Sequence, residues 1–140
     1  MKRVYHTWDK WECYPAGLYE DTPPAGMTTA EATTSYATFL RDSPRFTEAL
    51  KRVLAEWPLS CEHYLSNVNM NRIAWLGQAA MCIATRVPAQ FRGGFNLLSE
   101  EEQRTANSVA LEALNVWLVG RGEPPLSEDE AKSKTEMDLY

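Results

Sequence analysis

The stretch from Asn69 to Arg86, NMNRIAWLGQAAMCIATR, is apolar on nearly every helical face, and the rest of the chain has to accommodate it. Ile73, Leu76, Gly77, Ala80, Met81 and Ala84 recur at helical spacing, while Trp75, Ala79, Cys82 and Ile83 fill the flanks. A helix this apolar all round is stable only when other elements wrap it. Its small residues, Ala74, Gly77, Ala79, Ala80 and Ala84, allow partner helices to come close. Gly77 costs about 1 kcal/mol against alanine in a helix, so a close neighbour or a ligand is the expected reason for it. The polar exceptions cluster: Asn71, Arg72, Trp75 and Gln78 span two turns, with 71, 75 and 78 on one face.

The flanking sequence supplies the wrapping helices. Thr28 and Glu31 have capping-box spacing, so a helix is predicted from there to about Arg41, with Ala32, Tyr36, Phe39 and Leu40 inward. Ser43 is predicted to cap the next helix, with Pro44 at its first position. Phe46, Ala49, Leu50, Val53, Leu54 and Trp57 then follow the apolar helical repeat until Pro58 stops it. On the outer face Glu48 and Arg52 are set for an i,i+4 ion pair. A short helix from Ser60 to Leu65, capped by Ser60, is expected next, and Asn69 is the natural cap of the central helix. After Arg86 the segment PAQFRGGFNLL reads as a connection, flexible at Gly93 and Gly94. Ser99 and Glu102 repeat the capping box. The helix they open turns Ala106, Val109, Ala110, Ala113, Leu114 and Trp117 inward and ends at Gly120.

Both ends differ from this pattern. Residues 1–27 hold Tyr5, Trp8, Trp11, Tyr14 and Tyr19 among prolines and glycines that oppose a long helix. They read as an irregular aromatic arm lying across the core. From Gly122 onward six acids meet only two lysines, and the segment 122–140 reads as a flexible acidic tail. The expected architecture is therefore an all-α single domain over residues 1–121, with about five helices packed around the central one.

Charge and composition limit the function. The net charge of −5 sits mainly in that tail, leaving 12 basic and 13 acidic residues over residues 1–121. Double-stranded nucleic acid is an unlikely partner, since phosphate neutralisation needs clustered Lys and Arg. No apolar run reaches a membrane span and nothing resembles a secretory leader, which points to the cytoplasm. Cys13, Cys61 and Cys82 read as reduced thiols; joined with His6 and His63 they lack the spacing of a zinc module, so no metal is expected. No cofactor motif, phosphate loop or nucleophile elbow is present. The high aromatic content of a nearly neutral domain leaves surface for a homodimer.

Two readings of the polar cluster stand side by side. In one, Trp75 packs in the core and Arg72 pairs with a carboxylate such as Glu62. In the other, Asn71, Arg72, Trp75 and Gln78 form a ligand site, joined by Trp8, Trp11 and Tyr14 of the arm and by Arg92. Buried amides and a guanidinium need partners. Such a set can stack a base, read its edge through Asn and Gln, and hold phosphate with Arg.

The segments WECYPAGLY, EWPLSCEHYLSN and NRIAWLGQAAMCIA, with the following LLSEEEQ and a terminal WL, resemble small bacteriophage-encoded proteins of unassigned function over about residues 5–120. The resemblance implies an accessory protein in the host cytoplasm that antagonises host defence by non-catalytic binding, with sequestration of a small nucleotide signal as first candidate. Alternatives are a protein–protein inhibitor of a host defence effector and, more weakly, a small enzyme acting on nucleotides.

Overall fold

The computed structural model describes residues 28–85 and 93–132. The expected arm, Arg92, and positions 133–140 of the expected tail lie outside the described residues. The rest is all-α. In chain order the elements are α1 (Thr29–Arg41), α2 (Ser43–Glu56), α3 (Pro58–Leu65), α4 (Arg72–Thr85), α5 (Gly93–Asn96), α6 (Glu100–Gly120) and α7 (Glu128–Ala131).

The central stretch is α4, and it buries Arg72, Ile73 and every residue from Trp75 to Cys82. Its main neighbours are α2 and α6, while α1 and α3 close the remaining sides and α5 lies on α1. The amphipathic repeat of α2 works as read, burying Phe46, Ala49, Leu50 and Val53. In α6 the buried line is Ala106, Ala110, Leu114 and Leu118. Val109, Ala113 and Trp117 are only half-buried at its edge. The guanidinium of Arg121 covers the Trp117 ring at 4.3 Å.

Several caps differ from the sequence reading for local reasons. Thr28 and Ser99 form the two expected capping boxes. The cap of α2 is Asp42, whose carboxylate accepts from the Arg45 N–H, so Ser43 and Pro44 both lie inside the helix. Asp is as good a cap as Ser and stands one residue earlier. Pro58 starts α3 rather than merely stopping α2. Ser60 is then an interior residue of α3, its hydroxyl buried with no partner among the described residues. At the end of α6 the glycine in the left-handed conformation is Gly122 (φ 83°), not Gly120. The N–H groups of Gly122 and Glu123 donate to Val119 and Leu118 carbonyls at 3.0 and 2.9 Å, a Schellman closure. On the outside of α2, Arg52 pairs with Glu56 at 3.1 Å instead of Glu48. Glu62 pairs with Arg121.

The acidic segment departs most from expectation. Residues 123–132 fold back onto the domain instead of forming a flexible tail. Asn115 holds Leu126 at both ends, its Nδ2 donating to the Leu126 carbonyl (3.0 Å) and its Oδ1 accepting from the Leu126 N–H (2.8 Å). Ser127 and Glu130 form a third capping box. Ala131 is fully buried, and Arg72 Nη2 donates to the Glu130 carbonyl at 2.6 Å. Buried polar groups require partners, and here a short strap of chain supplies them.

Cys61 and Cys82 are buried thiols in α3 and α4, neither of them in a disulfide. Burial, helped by Glu62, pushes Cys61 up to about 12, and its Sγ donates to the Val53 carbonyl. Burial alone raises Cys82. Among the described residues no three His, Cys, Asp or Glu side chains gather around a point, and no helix is long and apolar enough to cross a membrane.

Arg41 at the end of α1 reaches both Glu102 (3.0 Å) and the Leu97 carbonyl (3.2 Å), which ties α1 to the start of α6. The Ser99 cap supports that junction. Ser99→Ala is expected to cost about 1 kcal/mol, read as a drop of about 4 °C in a thermal melt.

Candidate functional site

The polar cluster divides at the start of α4. Asn67 accepts from the Asn69 N–H through its side chain (2.9 Å), a tight turn that takes Asn69 out of the capping role. The helix begins after Asn71, whose Oδ1 accepts from the Ala74 N–H at 3.0 Å. That bond commits the carbonyl of the Asn71 amide to the helix end and leaves its NH2 group as the remaining donor.

Arg72 and Trp75 make their contacts with other parts of the fold. Trp75 stacks on Tyr64, with centroids 4.7 Å apart and planes 21° off parallel. Arg72 is 6 % exposed and reaches the strap, and its Nε has no partner among the described residues. Burial lowers its pKa, opposed by the carboxylates of Glu130 and Glu123. The pairing with Glu62 weighed for it is absent, because Glu62 is engaged by Arg121. Asn71 and Gln78 instead share the face of α4 that also carries Ala74 and Gly77, and all four line one cavity.

That cavity has a volume of about 220 Å³ and lies between α1, α2, α4, α5 and α6. It exists because the facing helices present small residues: Ala74 and Gly77 from α4, Ala106 and Ala110 from α6. Tyr36, Phe46 and Phe95 supply aromatic walls from three different helices. Among the described residues four carboxamides open into it, those of Asn71, Gln78, Asn96 and Asn107. Gln78 is buried, Asn71 and Asn107 are half-buried, and Asn96 is exposed, so the amides run from floor to rim. Lys132 reaches the cavity from the strap, paired with Glu128 at 2.9 Å.

Of the residues expected to bind a ligand, the structure thus brings together Asn71 and Gln78, and places Arg72 and Trp75 outside the lining. Trp8, Trp11, Tyr14 and Arg92 lie outside the described residues. Sequence reasoning missed Tyr36, Phe46, Phe95, Asn96, Asn107 and Lys132. One signal was available. Asparagine is a poor residue for a helix interior, and α6 holds two: Asn115 secures the strap and Asn107 faces the cavity.

Gly77 acquires its reason here. A Cβ added to it would lie 3.7 Å from Phe46 Cζ, an ordinary contact, so no neighbouring helix demands glycine. Gly77→Ala is expected to stabilise the fold by up to about 1 kcal/mol in a urea titration while making the cavity smaller. A loss of stability would show that the helix contact is tighter than this.

Among the described residues the lining offers rings for stacking, amides for hydrogen bonds, and one amine at the rim. This donor set can hold a flat polar molecule. No protein-family model, no curated protein and no solved structure matches the chain.

Proposed function

We propose that this chain binds a small nucleotide-like ligand in the cavity under α4 without transforming it. On this reading it is a phage accessory protein that antagonises host defence in the host cytoplasm by sequestering a nucleotide signal. The observation that carries the binding is the convergence of three aromatic rings and four carboxamides on one void of about 220 Å³. Ligand sites are usually concave, with apolar and aromatic walls and placed polar groups, and this lining combines the two in roughly equal measure. The phage context rests on the resemblance of the WECYPAGLY, EWPLSCEHYLSN and NRIAWLGQAAMCIA segments.

A second reading has its own observation. Val116 and Val119 on the outer face of α6 are 68 % and 55 % exposed. This apolar patch suits a protein surface, either a second copy of the chain or a host effector that the protein inhibits.

Thermal-shift and calorimetric titration against cyclic and linear nucleotides separates the readings. A ligand at about 100 Kd stabilises the fold by roughly 2.7 kcal/mol. Asn107→Leu should abolish the shift, and Trp75→Phe should retain it. Silence across the panel, with a host protein recovered by pull-down, would favour the inhibitor. Product in the titration cell would favour an enzyme.

A further inference from the structure

The chemistry of the lining narrows the ligand further, and the narrowing rests on the binding reading above. Among the described lining residues there is no carboxylate and no guanidinium, and the one ammonium, Lys132, is matched by Glu128 at the rim. A charge carried into the interior would lose its hydration with no counter-charge to replace it. The buried part of the ligand is therefore uncharged. It is also polar, because half-buried Asn107 brings a donor and an acceptor to the inner wall, Asn71 adds the donor left over from its bond to the Ala74 N–H, and the buried Gln78 side chain lies beside them. Carboxamides answer an edge that alternates donor and acceptor, as in their bidentate contact with adenine.

Size selects within that class. A dry cavity of about 150 Å³ accepts benzene, so about 220 Å³ accommodates two fused rings rather than one. Rings of that kind have Tyr36, Phe46 and Phe95 to pack against. We propose that the cavity takes the uncharged bicyclic base of a purine, read by carboxamides, with sugar and phosphate left at the rim beside Lys132. Phosphate then contributes almost nothing. The protein grips the purine end of whatever carries it.

The experiment is calorimetry with adenine, adenosine, its mono- and triphosphate, guanosine, cytidine and uridine, at low and high salt. Purine nucleosides should bind roughly tenfold or more tighter than pyrimidine nucleosides, as expected when a stacked ring is lost. Adenosine and its phosphates should agree within about threefold, with affinities changing by less than about twofold between 50 and 500 mM salt, because binding forms no charge pair with the protein for salt to screen. Gly77→Ala, which keeps the fold, should weaken purines selectively by narrowing the space beside Phe46. Asn107→Leu, checked by its melt, should weaken all bases. Affinity that climbs with each phosphate, or pyrimidines bound as tightly as purines, overturns the purine assignment and leaves the binding reading standing. No response to any base or nucleotide removes both.

Discussion

Replacing Gly94 with alanine is expected to destabilise the protein by about 3 kcal/mol, a fall of roughly 10 °C in the calorimetric melt. The new Cβ would stand 2.5 Å from Tyr36 Cβ, 2.7 Å from the Thr33 carbonyl oxygen and 2.8 Å from the Ala37 nitrogen. None of these is the end of a flexible side chain, so no rotamer change relieves the clash. The only escape is for α5 to lift off α1. That would carry Phe95 away from the cavity and strain the bonds from Gln103 Nε2 to the Phe95 and Leu98 carbonyls, 3.2 and 3.3 Å long. Affinity for the ligand proposed above should fall together with stability. A loss below about 1 kcal/mol would mean that α5 is not held where it is described.

Phe46→Ala should cost a similar amount, about 3 kcal/mol, as a shift in the urea midpoint with an unchanged slope. The ring is 1 % exposed and meets Phe39 edge-on, with centroids 5.3 Å apart at 77°. A buried phenylalanine usually costs about 3–5 kcal/mol to truncate, depending on how many neighbours it leaves. One side of this ring borders the cavity, which places the loss at the lower end. Phe46→Leu retains most of the packing and should cost under about 1.5 kcal/mol. If Phe46→Ala were neutral, the void beside Gly77 would have to be filled by another side chain, and the site would not be open.

Local patterns were the most legible. The α2 repeat and the Thr28 and Ser99 capping boxes depend on residues within one or two turns, so sequence spacing contains the whole cause. The end of α6 shows where that stops. Gly120 and Gly122 are both candidate terminators, and the choice falls on the one whose following N–H reaches Leu118. The strap escapes a reading from composition, which counts apolar anchors and takes no account of Asn115 and Arg72, the polar groups elsewhere in the chain that bind it. The site was half legible. Asn71 and Gln78 fall on one face of one helix, which spacing reveals. Their companions Tyr36, Phe46, Phe95 and Asn107 come from four other helices, and only the tertiary packing joins them. Trp75 appeared to be the stacking ring of the site because a helical wheel shows its own helix but not Tyr64 of α3.

The two buried thiols turn the molecule into its own clock. An alkylating reagent needs a solvated thiolate, and neither Cys61 nor Cys82 offers one while its helix stays packed. At these two sulfurs labelling samples only opened molecules, and its rate reports how often they open. The two sulfurs sit in different helices, so peptide mass analysis can follow them separately. Cys61 would be released by α3 alone, once its bond to the Val53 carbonyl of α2 breaks. Cys82 lies on the helix that everything else encloses and should wait for the whole bundle. A ligand seated under α4 should slow the second clock and leave the first nearly unchanged.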